Sequence, residues 1–158
     1  MATLPGGQKL LIGTDEATID DKGRILFSKK KRERLGESFV VALGSVGCLV
    51  AYPEAVWEQM VANILERENN QGREQYTRLM LGTADDELKF DAQGRVVVPQ
   101  RLRELAQLKE KVLLVGCGDR VEIWARTEWE KYSDHPDTYG QQRREAIERA
   151  EAKMRGAA

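Results

Sequence analysis

The stretch "DDKGRILF", residues 20–27, returns as "DAQGRVVV" at residues 91–98. Each is Asp-x-x-Gly-Arg followed by three apolar residues, at an offset of 71 positions. The aspartates, Asp20 and Asp91, suit a turn because the carboxylate accepts a backbone N–H two residues on. The glycines, Gly23 and Gly94, supply the positive φ that such a turn needs. Neither requirement explains why an arginine, Arg24 or Arg95, follows immediately.

Working outward from the turns, the repeat extends through most of the chain. Gly13-Thr14 lies over Gly82-Thr83, "FVVALG" (39–44) over "KVLLVG" (111–116), and "LVAYPEAVW" (49–57) over "VEIWARTEW" (121–129). Tyr52 then matches Trp124, and Trp57 matches Trp129. Two copies of about 55 residues emerge, too few for a solenoid. The expected division is a first half over 8–57, a connecting helical segment over 58–81, a second half over 82–132 and a helical tail over 133–158. A half of four short strands is too small to bury a good core alone. Two halves pairing about a pseudo-twofold axis would supply one.

Each copy reads as strand, turn, strand, short helix, hairpin, helix. Leu88 and Phe90 alternate before the second turn, and the β-branched run Val96–Val98 follows it as a strand. Pro99 suits the first turn of a helix that buries Leu102, Leu105, Ala106 and Leu108. A hairpin with Gly116 and Gly118 at its turn leads to a helix capped by Thr127. In the first copy, Pro53 and Glu54 open a helix to about Asn69, with Val56, Met60, Ile64 and Leu65 inward. The helix after the first turn, "KKKRERLG", has almost no apolar stripe, so it is expected to be frayed or solvent-facing, although Ser28 can cap it. The tail has a thin stripe of Ile147, Ala150 and Met154 and reads as a solvent-facing or subunit-contacting helix.

Composition narrows the function. The 158 residues are 41% apolar and 32% charged, with a formal charge of −1. General attraction to nucleic acid is therefore not expected, and any basic function must be local. Cys48 and Cys117 form no CxxC and sit in apolar surroundings, as buried small hydrophobes in a reducing compartment do. With His135 the single histidine, no Cys/His metal site is expected. No secretory-signal pattern and no membrane-spanning apolar run is read, which points to a cytoplasmic protein. No phosphate-binding loop and no specific catalytic constellation is present, so neither an enzyme nor a cofactor is expected. The matched aromatic residues Tyr52, Trp57, Trp124 and Trp129 read as core anchors.

Charge is segregated along the chain. Between Asp20 and Arg34 the basic residues Lys22, Arg24, Lys29, Lys30, Lys31, Arg32 and Arg34 outnumber the acids by four. Arg95, Arg101 and Arg103 add positive charge in the second copy. Two readings of the repeated arginine stand: an ion pair bracing the turn, or a group that reaches a polyanion. Coincidence of the basic cluster with both turns favours the second, with DNA phosphates contacted by Lys22, Lys29, Lys30, Arg32, Arg101 and Arg103. Arg24 and Arg95 are the candidates for base contacts, since arginine reads guanine bidentately.

The two D-x-x-G-R turns, "GRVVVPQRLREL", the "VEIW…W" ending and the overall length together resemble the MraZ family, over roughly residues 8–132. The resemblance implies an α+β, mainly β fold of two AbrB-like swapped-hairpin barrel halves with packed helices. It also implies a transcriptional regulator, usually a repressor, that assembles as ring-like homo-oligomers. Its partner would be double-stranded DNA at direct repeats upstream of its own division and cell-wall operon, hence nucleoid association. Arg24 and Arg95 fall at the family's DNA-facing arginines. The first copy departs from the pattern where Ser28 replaces the proline found at Pro99. AbrB-type halves also occur in antitoxins, and a structural oligomer without DNA function is the other alternative.

Overall fold

The computed structural model describes Leu4 and residues 7–156. The opening stretch read for a secretory signal and the end of the 133–158 tail lie partly outside these residues. In chain order the elements are β1 (Leu11–Thr18), β2 (Arg24–Leu26), α1 (Lys29–Leu35), β3 (Phe39–Leu43), β4 (Leu49–Pro53), α2 (Glu54–Leu65) and α3 (Gln71–Met80). They continue with β5 (Arg95–Val97), α4 (Gln100–Leu105), β6 (Lys111–Gly118), β7 (Val121–Ala125), α5 (Arg126–Asp134) and α6 (Gln141–Met154). The strands form one five-stranded sheet, β1-β6-β7-β4-β3, and a two-stranded ribbon, β2-β5. Every pairing is antiparallel.

Register reveals the symmetry. In the ribbon Ile25 faces Val96, its own counterpart in the repeat. In the sheet Val50 of β4 faces Glu122 of β7, again its own counterpart. A pseudo-twofold axis therefore passes through both self-matched pairs. The halves also exchange strands: β1 of the first copy pairs along its whole length with β6 of the second. The equivalent segment of the second copy reaches across to β3 of the first, where a single backbone bridge joins Val41 and Asp85 and Thr83 Oγ1 accepts from Leu43 N at 2.9 Å. The alternation of Leu88 and Phe90 consequently does not yield a regular strand; Phe90 makes one bridge, to Val96, and stacks on Phe27 and Phe39.

Both faces of the sheet are covered, which is why β3 and β4 are buried at every residue. One face meets the ribbon, with Leu11, Ile25, Phe27, Phe39, Val41, Leu49, Val96, Val98, Leu102 and Leu114 in the shared core. The other meets α2 and α5 through Tyr52, Trp124, Trp57 and Trp129, the matched aromatic residues acting as anchors. Trp124 lies 5.3 Å from Trp129 and 5.1 Å from Tyr132, centroid to centroid. Cys48 is buried as expected, whereas Cys117 is only half-buried, near the end of the β6–β7 hairpin.

Several local expectations are corrected. Helix α1 is docked rather than frayed: Ser28 caps it by accepting from the Lys31 N–H, and Lys31 and Leu35 face inward. Lys31 is 4% exposed, its ammonium 2.9 Å from the Asp15 carboxylate, at the position where the second copy has the buried Leu102. Leu65 and Leu105 are exposed, because α2 and α4 stop at these residues. Helix α5 starts directly from β7 at Ala125 without a side-chain cap, so Thr127 does not serve as one. Helix α6 is not free: it packs on α3 and buries Ile147, Ala150 and Met154. Arg143 locks it down by donating to the carbonyls of Gly44 (2.6 Å), Leu43 (3.0 Å) and Leu79 (2.8 Å).

Candidate nucleic-acid interface

Each repeated turn is built by its aspartate. The Asp20 carboxylate accepts from the backbone N–H groups of Lys22 (3.0 Å) and Arg24 (2.9 Å). Asp91 does the same for Gln93 (2.9 Å) and Arg95 (2.9 Å). Gly23 and Gly94 then take φ of 81° and 84°, the left-handed region that favours glycine. The second carboxylate oxygen of each aspartate holds its arginine: Arg24 Nε lies 2.5 Å from Asp20, and Arg95 Nε 3.1 Å from Asp91. Arg95 also donates to the Gln93 side chain. These bonds, led by the backbone N–H of the arginine, hold both carboxyls below the usual aspartate range.

Of the two readings of the arginine, the ion pair bracing the turn is present in both copies. An exposed Arg–Asp pair contributes only about 0–1 kcal/mol. Its larger consequence is orientation: Nε of each arginine is tied to its aspartate, and in Arg95 a terminal amino group is tied as well, to Gln93. The side chains remain 26% and 29% exposed. Residues two apart on a strand share a face, as do residues directly opposite across a pair. With Arg24 opposite Val97 and Leu26 opposite Arg95, both arginines stand on the outer face of one ribbon. Sheet geometry separates such diagonal neighbours by about 7–8 Å. Ile25 and Val96, between them in sequence, point into the core.

The turns are braced across the pseudo-axis, a feature not readable from the sequence. Gly94 O accepts from Phe27 N at 3.1 Å, and Gly23 O from Val98 N at 2.9 Å. Arg32 of the first copy lies over Gly94 of the second, its Nε donating to Phe27 O at 3.1 Å. Its repeat counterpart Arg103 lies over Gly23, where an added Cβ would stand 3.1 Å from its Cζ. The matched positions of Arg32 and Arg103, 71 apart, were the one available signal of a common role.

Among the other predicted site residues, Lys22, Lys29 and Lys30 are exposed; Lys29 sits 3.8 Å from Glu33 in a loose surface pair. Arg101 donates to Thr83 O at 3.1 Å from an exposed position. Lys22 extends from the first turn itself, and Lys29, Lys30 and Arg101 from the helices that follow the two ribbon strands. Lys31, counted with the basic run, is spent on Asp15 inside the molecule.

Fold and site together define a class: a duplicated, strand-exchanged chain that displays one arginine-bearing turn per half on a shared ribbon. A family model described as "MraZ protein, putative antitoxin-like" matches residues 10–79 and again 80–150. The protein belongs to the MraZ family. It is 39% identical over 130 residues to a transcriptional regulator MraZ of Thermoanaerobacter sp. (strain X514), covering 81% of this chain and 90% of that one. It is 36% identical over 140 residues to a transcriptional regulator MraZ of Lachnoclostridium phytofermentans, covering 83% and 98%.

Proposed function

We propose that this protein is a sequence-specific DNA-binding transcriptional regulator, using Arg24 and Arg95 to contact bases. The observation that carries the reading is the common face of the two arginines on the ribbon, each oriented by its own aspartate. Pre-orientation matters because an arginine already held in its fork geometry loses less freedom on binding. Lys22, Lys29, Lys30 and Arg101 supply phosphate contacts, with Arg32 and Arg103 close behind the turns they brace. The names of the relatives, transcriptional regulators, support the same reading.

In this reading the halves interlock as a swapped-hairpin barrel, and subunits assemble into a homo-oligomer. One subunit offers two modest contacts. An oligomer would array them over direct repeats upstream of the protein's own operon, where linkage of weak modules raises avidity by about 10²–10⁴. The outcome would be repression from a cytoplasmic, nucleoid-associated protein; no helix of the described residues is long and apolar enough to cross a membrane. The antitoxin alternative draws on the family description. It is disfavoured by the tail, whose apolar stripe is already buried on α3 rather than offered to a partner.

The test is a gel shift with the DNA immediately upstream of the gene. Arg24→Ala combined with Arg95→Ala is expected to abolish specific binding with the fold intact by circular dichroism. Affinity like that of the wild type in the double variant refutes the assignment. For the wild type, log K should fall with log salt by roughly 0.9 per phosphate neutralised.

A further inference from the structure

The outer face of the ribbon holds four side chains, and only two of them are arginines. Leu26 is 55% exposed and Val97 51% exposed, although both are large apolar residues in strands. They are counterparts in the repeat, each standing directly across from the other half's arginine: Val97 from Arg24, Leu26 from Arg95. Their strand neighbours Ile25 and Val96 already fill the core, so packing does not account for the apolar choice at either site. A single exposed apolar residue is unremarkable, but a symmetric pair set between two pre-oriented arginines is a patterned surface.

We propose that Leu26 and Val97 are specificity residues that take thymine methyl groups when the ribbon enters the DNA major groove. The major groove, about 12 Å wide, admits a two-stranded ribbon as it stands, whereas the minor groove, at about 6 Å, must first be widened at a cost in deformation energy. The thymine C5-methyl is displayed only in the major groove, and apolar side chains are the groups that recognise it. An arginine beside an apolar residue in each cross-strand pair thus matches a guanine beside a thymine. Charge complementarity selects DNA over a second copy of this chain. A self-complementary contact through this face would press arginines against arginines, while a polyanion relieves them.

This inference rests on the DNA-binding reading above, and its test separates the two. The full-length protein is titrated against its upstream DNA and against the same duplex carrying deoxyuridine in place of thymine, which lacks only the methyl. Wild type is expected to bind the deoxyuridine duplex more weakly by about fourfold per methyl contacted, the weight of one buried methyl group. Leu26→Ala combined with Val97→Ala should bind the thymine duplex at that weaker level and no longer distinguish the two DNAs. Any effect of deoxyuridine on duplex shape would persist in the variant, so its loss there isolates the methyl contact.

Equal binding of both duplexes by wild type overturns the inference, as does a variant that keeps the full thymine preference. If arginine-dependent binding stands while methyl sensitivity is absent, only this inference fails. If upstream DNA is not bound at all, both fail. A changed oligomeric mass of the variant on size-exclusion chromatography with light scattering would also overturn it, by assigning the face to another copy.

Discussion

Gly94 and Arg32 offer a direct test of the crossed brace that holds the arginine turns. Replacing Gly94 by alanine asks an L-residue to adopt φ of 84°, which costs about 1–2 kcal/mol. The new Cβ would also stand 2.5 Å from Arg32 Cζ and closer still to its Nε, so the guanidinium must leave. Leaving breaks its bond to Phe27 O, worth about 0.5–1.5 kcal/mol. The expected loss is therefore about 2–3 kcal/mol by urea denaturation. Arg32→Ala loses the same hydrogen bond but frees the space. In that background Gly94→Ala should cost only the backbone share, about 1–2 kcal/mol, a coupling near 1 kcal/mol. Gly23→Ala is expected to be milder than Gly94→Ala, since its Cβ would stand 3.1 Å from Arg103 Cζ and 3.2 Å from Val98 O, looser than the 2.5 Å to Arg32 Cζ at Gly94. An equal cost of Gly94→Ala with and without Arg32 would refute the crossed arrangement.

Two further outcomes follow from other parts of the molecule. The carboxyls of Asp20 and Asp91 are depressed below the ordinary 3.8, so their stabilisation is complete above that value and disappears as pH falls through their folded-state values. Wild type should lose stability to urea as pH drops below about 4, and Asp20→Asn combined with Asp91→Asn should show a shallower decline over the same range. At Gly72, a Cβ would stand 2.5 Å from Lys153 Cβ and 2.6 Å from Ala150 O, contacts that no rotation of a side-chain tip relieves. Gly72→Ala should therefore cost about 1–3 kcal/mol and speed hydrogen exchange over Ile147–Met154, while unchanged exchange would mean that α3 and α6 are not in contact.

The amino-acid sequence by itself determined what short-range chemistry controls. Asp20 and Asp91 cap their turns, Gly23 and Gly94 permit them, and Val96–Val98 stiffen a strand, because each acts on residues at most four positions away. The duplication and the aromatic anchors Tyr52, Trp57, Trp124 and Trp129 were legible for a related reason: matched positions repeat whatever the tertiary arrangement. Only the tertiary structure decided which copy each segment would join. Both copies carry the same strand pattern, so β1 could pair with β3 or with β6 on local grounds, and the register does not distinguish them. Exchange to β6 carries Arg32 to Gly94 and Arg103 to Gly23, and joins Arg24 and Arg95 on one ribbon. Tertiary packing likewise turned Lys31 from an expected surface charge into a buried partner of Asp15, and laid α6 over α3 as a cover. Those outcomes depend on contacts between residues far apart in the chain, whose partners a repeated pattern leaves degenerate.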